Sequence, residues 1–189
     1  MIKYKRIDLK YLIKELSANN KIFIDFFNIY LNEYITELLN IYNIKDYITY
    51  NKNYLEKYKK IDPNANIYYH ILLDKNNNKL IGIFKTLRIS DQFFTLKYFR
   101  SLKKEYNIGN NLNIYYGVNL FILPEYRGQK LCYRLNKKII QKAIKKDIKY
   151  IICEIHNNNI ASQKCFLKVG FKKTNILSYR DTYFYIIKL

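Results

Sequence analysis

The chain has 189 residues, enough for one domain with its own hydrophobic core, and a formal net charge of +19. Its cysteines, Cys132, Cys153 and Cys165, form no C-x-x-C pair and no zinc-type grouping with His, so we expect no metal and a reduced, cytoplasmic interior. The N-terminus is too charged for a signal peptide, and the apolar segment 22–42 is interrupted by acidic and amide residues. We therefore expect neither secretion nor a membrane partner.

The positive charge is spread along the chain and is not concentrated in one basic arm. A positive potential attracts polyanions, which makes nucleic acid a partner to consider. Lys, Asn, Ile and Tyr are also the residues that A/T-rich codons encode, so a chain with 21 Tyr can be basic without a nucleic-acid surface. Because no RNA-binding or helix-turn-helix pattern stands out, we do not favour nucleic acid.

The first half of the chain predicts a strand, helices and a hairpin. Asp8 is a suitable N-cap for a helix, because apolar residues at helical spacing follow it. A polar loop, Asp74–Asn78, lies between two apolar runs and predicts a β-hairpin. The expected elements in chain order are a strand over Met1–Ile7, a helix from Leu9 to about Ala18, an aromatic helix from about Phe23 to Ile41, a further helix around Tyr54–Tyr58 in an ambiguous stretch, and strands over Asn66–Leu73 and Leu80–Ile89.

We predict a single domain over residues 1–189. The second half of this domain alternates strands and helices. Its best-defined helix has an apolar stripe and directs many lysines outward. The aromatic and basic segment 91–112 is an insertion between two strands and could be helical. The expected elements are this insertion, a strand over Asn113–Leu123, a helix over Gln129–Lys146, a strand over Lys149–Ile155, a helix from about Ile160 to Val169, and strands over Phe171–Ile176 and Thr182–Leu189.

The segment Phe121–Leu135 is the most informative part of the chain. An apolar run is followed by Pro124, an Arg-Gly turn at Arg127–Gly128, and the start of the lysine-rich helix. This order leaves several backbone N–H groups without intrahelical partners, at the helix end where the dipole favours negative charge. The segment therefore predicts an anion-binding turn, with an ordinary helix N-terminus as the alternative.

This turn and the later segment Asn159–Phe171, in this order, resemble the two cofactor-binding motifs of the GNAT N-acetyltransferase superfamily. The motif resemblance covers Gly117–Phe171, and the first half agrees only in its order of elements. It implies an α+β fold: a mixed sheet of about seven strands, mostly antiparallel with one splayed parallel pair, and helices on both faces. It also implies an acetyltransferase that uses acetyl-CoA as cosubstrate.

In this family the pyrophosphate of coenzyme A lies on a turn with an Arg or Gln followed by two glycine-type positions. Arg127 matches the first position, whereas Lys130 and Cys132 stand where Gly, and Gly or Ala, are usual. Because lysine favours ordinary helical dihedrals, we expect Lys130 to keep them and its ammonium to add an attractive charge. The resemblance assigns to cofactor binding Leu120, Phe121, Ile122, Arg127, Gly128, Gln129, Lys130, Leu131, Cys132, Tyr133, Asn159 and Phe166.

Some of these residues also have a purely structural interpretation. Leu120, Phe121 and Ile122, whose backbone the resemblance pairs with the pantetheine arm, would equally suit a buried strand. Asn159 is a natural N-cap for the last helix. Phe166 stands where the family usually has the tyrosine that protonates the departing thiolate, so the donor would be water or another tyrosine, such as Tyr133 or Tyr179.

The resemblance places a base at Glu154, five residues before Asn159. Strand periodicity puts Glu154 and His156 on the same face, and burial of a carboxyl group raises its pKa toward the range of a useful base. We expect Glu154 to remove the proton from the acceptor amine, with His156 as the alternative catalytic residue. A salt bridge from Glu154 to one of the many lysines is the competing interpretation.

The function predicted from sequence is transfer of an acetyl group to a primary amine of a small molecule or peptide, by direct attack in a ternary complex. The acceptor would enter near Asn19–Lys21, Asn43–Tyr50 and the 91–112 insertion. Alternatives are a basic nucleic-acid-binding module, a non-catalytic coenzyme A-binding module, and a longer-chain acyltransferase in which the insertion lines an acyl tunnel. We expect a monomer or a homodimer.

Overall fold

The computed structural model describes residues 1–35, 49, 51–53, 55–56, 59–60, 65–90, 97–109, 113–179 and 181–189. These residues form a seven-stranded mixed sheet in the order β1-β2-β3-β4-β5-β7-β6. The strands are β1 Ile2–Asp8, β2 Asn66–Asp74, β3 Lys79–Ser90, β4 Asn113–Ile122, β5 Ile148–His156, β6 Lys172–Tyr179 and β7 Thr182–Lys188. The helices are α1 Leu9–Ser17, α2 Lys21–Ile35, α3 Lys97–Glu105, α4 Leu131–Ile144 and α5 Ile160–Lys168, with a 3₁₀ turn at Pro124–Tyr126.

The predicted fold class is confirmed: β4 and β5 run parallel, and every other neighbouring pair of strands is antiparallel. The predicted hairpin is β2–β3, and Asp8 caps α1 by accepting a hydrogen bond from the Tyr11 N–H at 2.8 Å. The predicted helix in the insertion is α3. The parts of our predictions at 36–41, 43–48, Tyr50, Tyr54, 57–58, 91–96 and 110–112 lie outside the described residues.

Helices cover both faces of the sheet. Because side chains alternate along β3, Ile83 and Phe84 lie on opposite faces, and Phe121 pairs with Ile83. The Tyr30 ring of α2 packs edge-on against Phe121, with ring centres 5.3 Å apart, so α2 lies on the face of Ile83. The Phe166 ring of α5 packs edge-on against Phe84 at 5.8 Å, which places α5 on the other face.

The parallel pair diverges halfway along its length. Pairing between β4 and β5 ends at Gly117 and Cys153, although β4 continues to pair with β3 as far as Ile122. The β3–β4 register shifts beside Asn119, which has φ 58, so an extra residue bends β4 at this point. The bend opens a gap between the two strands, as the splayed pair in our prediction requires.

None of the helices in the described part of the chain is long and apolar enough to cross a membrane.

Candidate active site

The gap between β4 and β5 exposes strand edges in the middle of the sheet. Residues 118–122 of β4 are paired on the β3 side and have no strand partner on the β5 side. Val118, Asn119 and Leu120 are half-buried here, whereas Phe121 and Ile122 are buried. Backbone groups that face β5 at this edge are therefore open to an extended ligand, the role that we predicted for Leu120, Phe121 and Ile122, although the Ile122 carbonyl accepts from the Arg127 side chain.

The bent part of β4 is held in place by α2. The Asn119 side-chain amide donates to the Tyr30 hydroxyl at 3.0 Å, and the Phe26 and Tyr30 rings pack against Phe121. Sequence reasoning missed Asn119 and Tyr30, because the two residues are 89 positions apart and only the fold brings them together. These contacts keep the bulge, and with it the gap, in a defined position.

Beyond β4, the chain forms the turn that we predicted to bind an anion. Residues Arg127–Lys130 are exposed, and α4 begins at Leu131. The first hydrogen bond of the α4 ladder runs from the Arg134 N–H to the Lys130 carbonyl at 3.0 Å. The N–H groups of residues 128–133 thus precede the ladder, at the positive end of the helix dipole.

One expectation about this turn was wrong. Lys130 does not keep helical dihedrals but adopts the left-handed conformation, with φ 58 and ψ 20, and is the N-cap of α4. Gly128 has φ +78, and a Cβ added there would meet no heavy atom within 4 Å. The turn therefore keeps a glycine-type backbone at Lys130 because the surrounding chain, and not the residue's own preference, decides its conformation.

Two side chains of the turn make hydrogen bonds within the protein. The Arg127 guanidinium group donates from Nε to the Ile122 carbonyl at 3.0 Å and lies over the Phe121 ring. The Gln129 side-chain amide donates back to the Glu125 carbonyl at 3.5 Å. Arg127 thus fastens the turn to the end of β4, so the ligand-binding capacity of the turn lies mainly in its backbone.

The first turn of α4 packs its apolar residues inward. Leu131 is buried together with the predicted stripe of Leu135, Ile139 and Ala143. Tyr133 is half-buried, and the ammonium groups of Lys137 and Lys168 lie 5.1 and 5.7 Å from its ring centre. Tyr133 therefore bridges α4 and α5. The side chain of Tyr179, the other tyrosine considered as a proton donor, lies outside the described part of the chain.

The cysteines overturn a second expectation. Cys132 of α4 and Cys165 of α5 form a disulfide, whereas we expected reduced thiols; only Cys153 is a free, buried thiol. The two residues are 33 positions apart, and the packing of α4 on α5 brings them together. Cysteine spacing gave no signal for this pairing, because the spacing does not show which helices will be neighbours.

The second motif forms α5 as predicted. Asn159 is its N-cap, and the Asn159 carboxamide oxygen accepts from the Ser162 N–H at 3.1 Å. Phe166 is 3% exposed and packs edge-on against Phe84 and Phe171. Both residues therefore have structural tasks, whatever they contribute to cofactor binding.

Glu154 lies on β5 immediately beyond the last β4–β5 pair, where the strands diverge. The Tyr116 hydroxyl donates to its Oε1 at 2.6 Å, whereas the Ser178 hydroxyl donates to the Thr182 carbonyl at 3.2 Å. Burial raises the pKa of Glu154, and the hydroxyl groups of Tyr116 and Ser178 offset part of the rise. No lysine salt bridge to Glu154 occurs among the described residues, so the arrangement favours a proton-accepting group over an ion pair.

Two features of this cluster were not predicted from sequence. Tyr116 is buried on β4, and Ser178 is buried on β6. The Phe99 ring of α3 packs edge-on against Tyr116 at 5.3 Å and helps to orient it. Strand periodicity places Tyr116 on one face of β4, but only the β4–β5 register shows that this face also carries Glu154.

His156 ends β5 and is exposed, and its Nδ1 accepts a hydrogen bond from the Asn158 N–H at 3.1 Å. This bond uses the side chain to shape the turn before α5. Of the two predicted catalytic candidates, Glu154 is the one in a partly desolvated environment, with the Tyr116 hydroxyl as an oriented hydrogen-bond donor.

A buried lysine lies next to the β4 bulge. Lys85 pairs with Val118 and is 3% exposed, and its ammonium group donates to Asn51 Oδ1 at 3.2 Å. Burial lowers the pKa of Lys85 to about 8. Sequence reasoning did not select this residue, because the sequence does not show how deeply a lysine within an apolar strand is buried.

The residues present fit coenzyme A. The turn offers outward backbone N–H groups at a helix N-terminus for a diphosphate, and Gly128 leaves the approach open. The unpaired edge of β4 offers main-chain partners for an extended amide-containing arm. The carboxyl group of Glu154 lies beside the gap into which that edge faces.

Structures of known acetyltransferases resemble this chain throughout its length. Arabidopsis thaliana NAA60 in complex with a bisubstrate analogue has a TM-score of 0.58 at 9% identity, with 100% of this chain and 99% of that chain covered. The ribosomal-protein-S5-alanine acetyltransferase of Vibrio fischeri has a TM-score of 0.59 at 13% identity, with 99% and 92% covered. The NatC complex bound to Gag peptide and CoA has a TM-score of 0.59 at 18% identity, with 100% and 98% covered. These likenesses show the fold.

No curated protein matches the chain in sequence. The model of the acetyltransferase (GNAT) family, however, matches residues 27–171, most of the chain, including both motifs and Glu154. The chain therefore belongs to the GNAT acetyltransferase family and is an acyltransferase.

Proposed function

We propose that this protein transfers an acetyl group from acetyl-CoA to a primary amine of a small molecule or a peptide, by direct attack in a ternary complex. The observation that carries the proposal is the Glu154 carboxyl group at the divergence of β4 and β5, with the Tyr116 hydroxyl 2.6 Å from it. A base is needed because an amine is protonated near neutral pH and is not nucleophilic in that form.

Each part of the site has a separate task in this proposal. The backbone N–H groups of residues 128–133 bind the diphosphate of the cosubstrate, and the β4 edge at Leu120–Ile122 aligns its pantetheine arm. Acetyl-CoA, when bound, supplies an acetyl group activated as a thioester. An N–H donor at the β4 edge that faces the developing negative charge on the acetyl oxygen is worth about 3 to 4 kcal/mol.

Glu154 takes the proton from the acceptor ammonium, directly or through one water. Tyr116 orients the carboxylate, and water or another tyrosine protonates the departing thiolate, since Phe166 has no hydroxyl group. The acceptor enters from the face that carries α2 and α3. NatC bound to Gag peptide and the S5-alanine enzyme are named for peptide or protein ligands, which supports a peptide N-terminus as one acceptor class.

The first test is binding of coenzyme A, measured by calorimetry and by thermal unfolding. We expect a dissociation constant in the micromolar range and a melting temperature that rises with ligand concentration. Absence of binding would contradict the proposal. Single-stranded RNA serves as the comparison, because the charge of +19 motivates the nucleic-acid-binding alternative. A larger rise in melting temperature with RNA than with coenzyme A, with steep salt dependence, would favour that alternative.

The second test compares acetyl-CoA with octanoyl-CoA as donors, against panels of small amines and of peptides with free N-termini. Faster turnover of acetyl-CoA supports acetyl transfer, and faster turnover of octanoyl-CoA would replace it with longer-chain acyl transfer. Binding without turnover on any acceptor would favour the non-catalytic alternative.

We also propose that the chain forms a single domain, is located in the cytoplasm and is a monomer or a homodimer. Fractionation of the source cells tests the location, and analytical ultracentrifugation tests the oligomeric state.

A further inference from the structure

The disulfide between Cys132 and Cys165 connects the two cofactor-binding motifs of the chain. Cys132 is the second residue of α4 and lies within the anion-binding turn. Cys165 lies on α5, the helix that Asn159 caps, and directly precedes Phe166. A covalent bond thus joins the turn proposed to hold the diphosphate to the helix on the other side of the gap.

The surroundings of this bond differ from those of the third cysteine. Cys132 and Cys165 are half-buried, whereas Cys153 is 2% exposed and burial raises its pKa well above the usual value. The carboxamide nitrogen of Asn136, itself 1% exposed, donates to the Cys132 carbonyl at 3.1 Å and lies 3.6 and 3.7 Å from the two sulfur atoms. This amide and the N-terminus of α4 both stabilise negative charge on sulfur, so thiol exchange is favoured at this pair and disfavoured at Cys153.

We propose that Cys132–Cys165 is a reversible thiol–disulfide site and that its oxidation state sets the affinity of the anion-binding turn for coenzyme A. The inference rests on the proposed binding of acetyl-CoA. Lys130, two residues before Cys132, holds a left-handed conformation that a lysine adopts unwillingly. The bond anchors the chain immediately after this residue, which keeps the N–H groups of the turn in their binding arrangement.

Reduction removes this anchor. The first turn of α4 then has more freedom to fray, because no side chain caps it at Lys130. Binding of the diphosphate must order these residues again, and the cost of that ordering lowers the affinity. Oxidation has the opposite effect, since the turn is already ordered before the ligand arrives.

The chemistry is an exchange with a small or protein dithiol reductant. One thiolate of the reductant attacks one sulfur of the Cys132–Cys165 bond, a mixed disulfide forms, and the other cysteine leaves as a thiolate that takes up a proton. The second thiol of the reductant then displaces the remaining cysteine. The protein gains two electrons and two protons, and the reductant is left as its own disulfide.

The direct experiment uses desulfo-coenzyme A, which has no thiol to exchange with the disulfide, and compares its binding to the oxidised protein, to the protein reduced with dithiothreitol and to Cys165→Ser. Cys165→Ser removes the bond without changing a residue of the turn. We expect about a fivefold or greater increase in the dissociation constant, equal for the reduced protein and the variant. In the oxidised protein, amide hydrogen exchange at residues 128–133 should be slower. In the control Cys153→Ala, the ratio of the dissociation constants of the reduced and oxidised forms should be the same as in the wild type.

The second experiment uses the reciprocity of linked equilibria. The fraction of Cys132–Cys165 that is oxidised is measured by thiol alkylation and mass spectrometry in buffers with set ratios of reduced to oxidised dithiothreitol, with and without desulfo-coenzyme A. This ligand must shift the midpoint toward the disulfide by the same factor as the affinity ratio, and a fivefold ratio corresponds to about 20 mV.

The outcomes separate the two proposals. If coenzyme A binds neither form, the proposed function fails. If desulfo-coenzyme A binds both forms equally and leaves the midpoint unchanged, or if the two cysteines are alkylated under every oxidising buffer, the proposed function survives and this inference is overturned.

Discussion

The anion-binding turn and the Glu154 cluster lie at the same gap but offer different chemical groups to a ligand, backbone groups in the turn and side chains in the cluster. The turn, residues 127–133, is exposed and offers backbone N–H groups, while its Arg127 side chain is used internally. The cluster of Glu154, Tyr116 and Ser178 consists of side chains in a partly desolvated environment. A backbone site tolerates changes of residue type, which explains how Lys130 and Cys132 can stand at glycine-type positions. A side-chain site does not tolerate them. Substitutions in the cluster should therefore cause large losses of turnover, whereas substitutions in the turn should cause smaller losses of binding.

The largest effect is expected for Glu154→Gln, which removes the proposed base and keeps the shape of the side chain. We expect kcat/KM for acetyl transfer to fall about 100-fold or more, with the coenzyme A dissociation constant unchanged. The control Asp147→Asn changes an exposed carboxylate in the α4–β5 turn and should leave turnover unchanged. Wild-type activity of Glu154→Gln with intact cofactor binding would remove Glu154 from the mechanism.

The same variant has a predictable effect on stability. The pKa of Glu154 is raised in the folded protein, so the folded state holds this proton more tightly than the unfolded state does. The stabilising contribution is therefore present at low pH and is lost as the pH rises through the raised pKa. Thermal unfolding near pH 8 should show Glu154→Gln to be no less stable than the wild type, and a clearly lower melting temperature would contradict the assignment of burial as the main cause.

A smaller effect is expected for Tyr116→Phe. This change removes a hydrogen bond that lowers the pKa of Glu154 and leaves the ring in place against Phe99. Because the base acts only when deprotonated, activity is lost below its pKa. The acidic limb of the kcat/KM–pH profile should therefore move to higher pH, with a loss of about tenfold near neutrality. A uniform loss at all pH values would indicate misfolding or a different role for Tyr116.

A substitution in the turn should change the dissociation constant for coenzyme A and leave kcat unchanged. Gly128→Ala puts a side chain at φ +78, which favours other conformations of the turn and lowers the population that can bind. We expect the dissociation constant for coenzyme A to rise about five- to tenfold, with kcat at saturation unchanged. Gly109→Ala is the matched control, since it also adds a Cβ in open space but without a positive φ. Equal effects of the two variants would argue against the turn as the binding site.

The smallest effect is expected for Lys130→Gly, which relieves the left-handed conformation. The gain is partly offset by the greater freedom of glycine in the unfolded chain, so the free energy of unfolding should rise by about 0.5 kcal/mol. This corresponds to a melting temperature about 1 to 2 °C higher. Lys130→Ala keeps the Cβ and should show no gain. If both variants destabilise the protein equally, the Lys130 side chain makes a contribution that outweighs the backbone conformation.

Much of the fold was predictable because its signals are local. The Asp8 and Asn159 caps, the β2–β3 hairpin and the apolar stripe of α4 each depend on residues a few positions apart. The resemblance of two short motifs supplied the sheet with its splayed pair. The prediction for Lys130 was wrong because intrinsic preference was weighed without the constraint that β4 and α4 impose on the turn between them.

The sequence alone determined the order of the elements, the position of the turn between β4 and α4 and the face of β5 on which Glu154 lies, since helical and strand periodicity act within each segment. The tertiary structure decided which residues meet: Tyr116 and Ser178 with Glu154, Asn119 with Tyr30, and Cys132 with Cys165. These contacts depend on the register between strands, on a single-residue bulge and on the packing of two helices. Such features are settled by the burial of the whole core, and no stretch of the chain encodes them by itself.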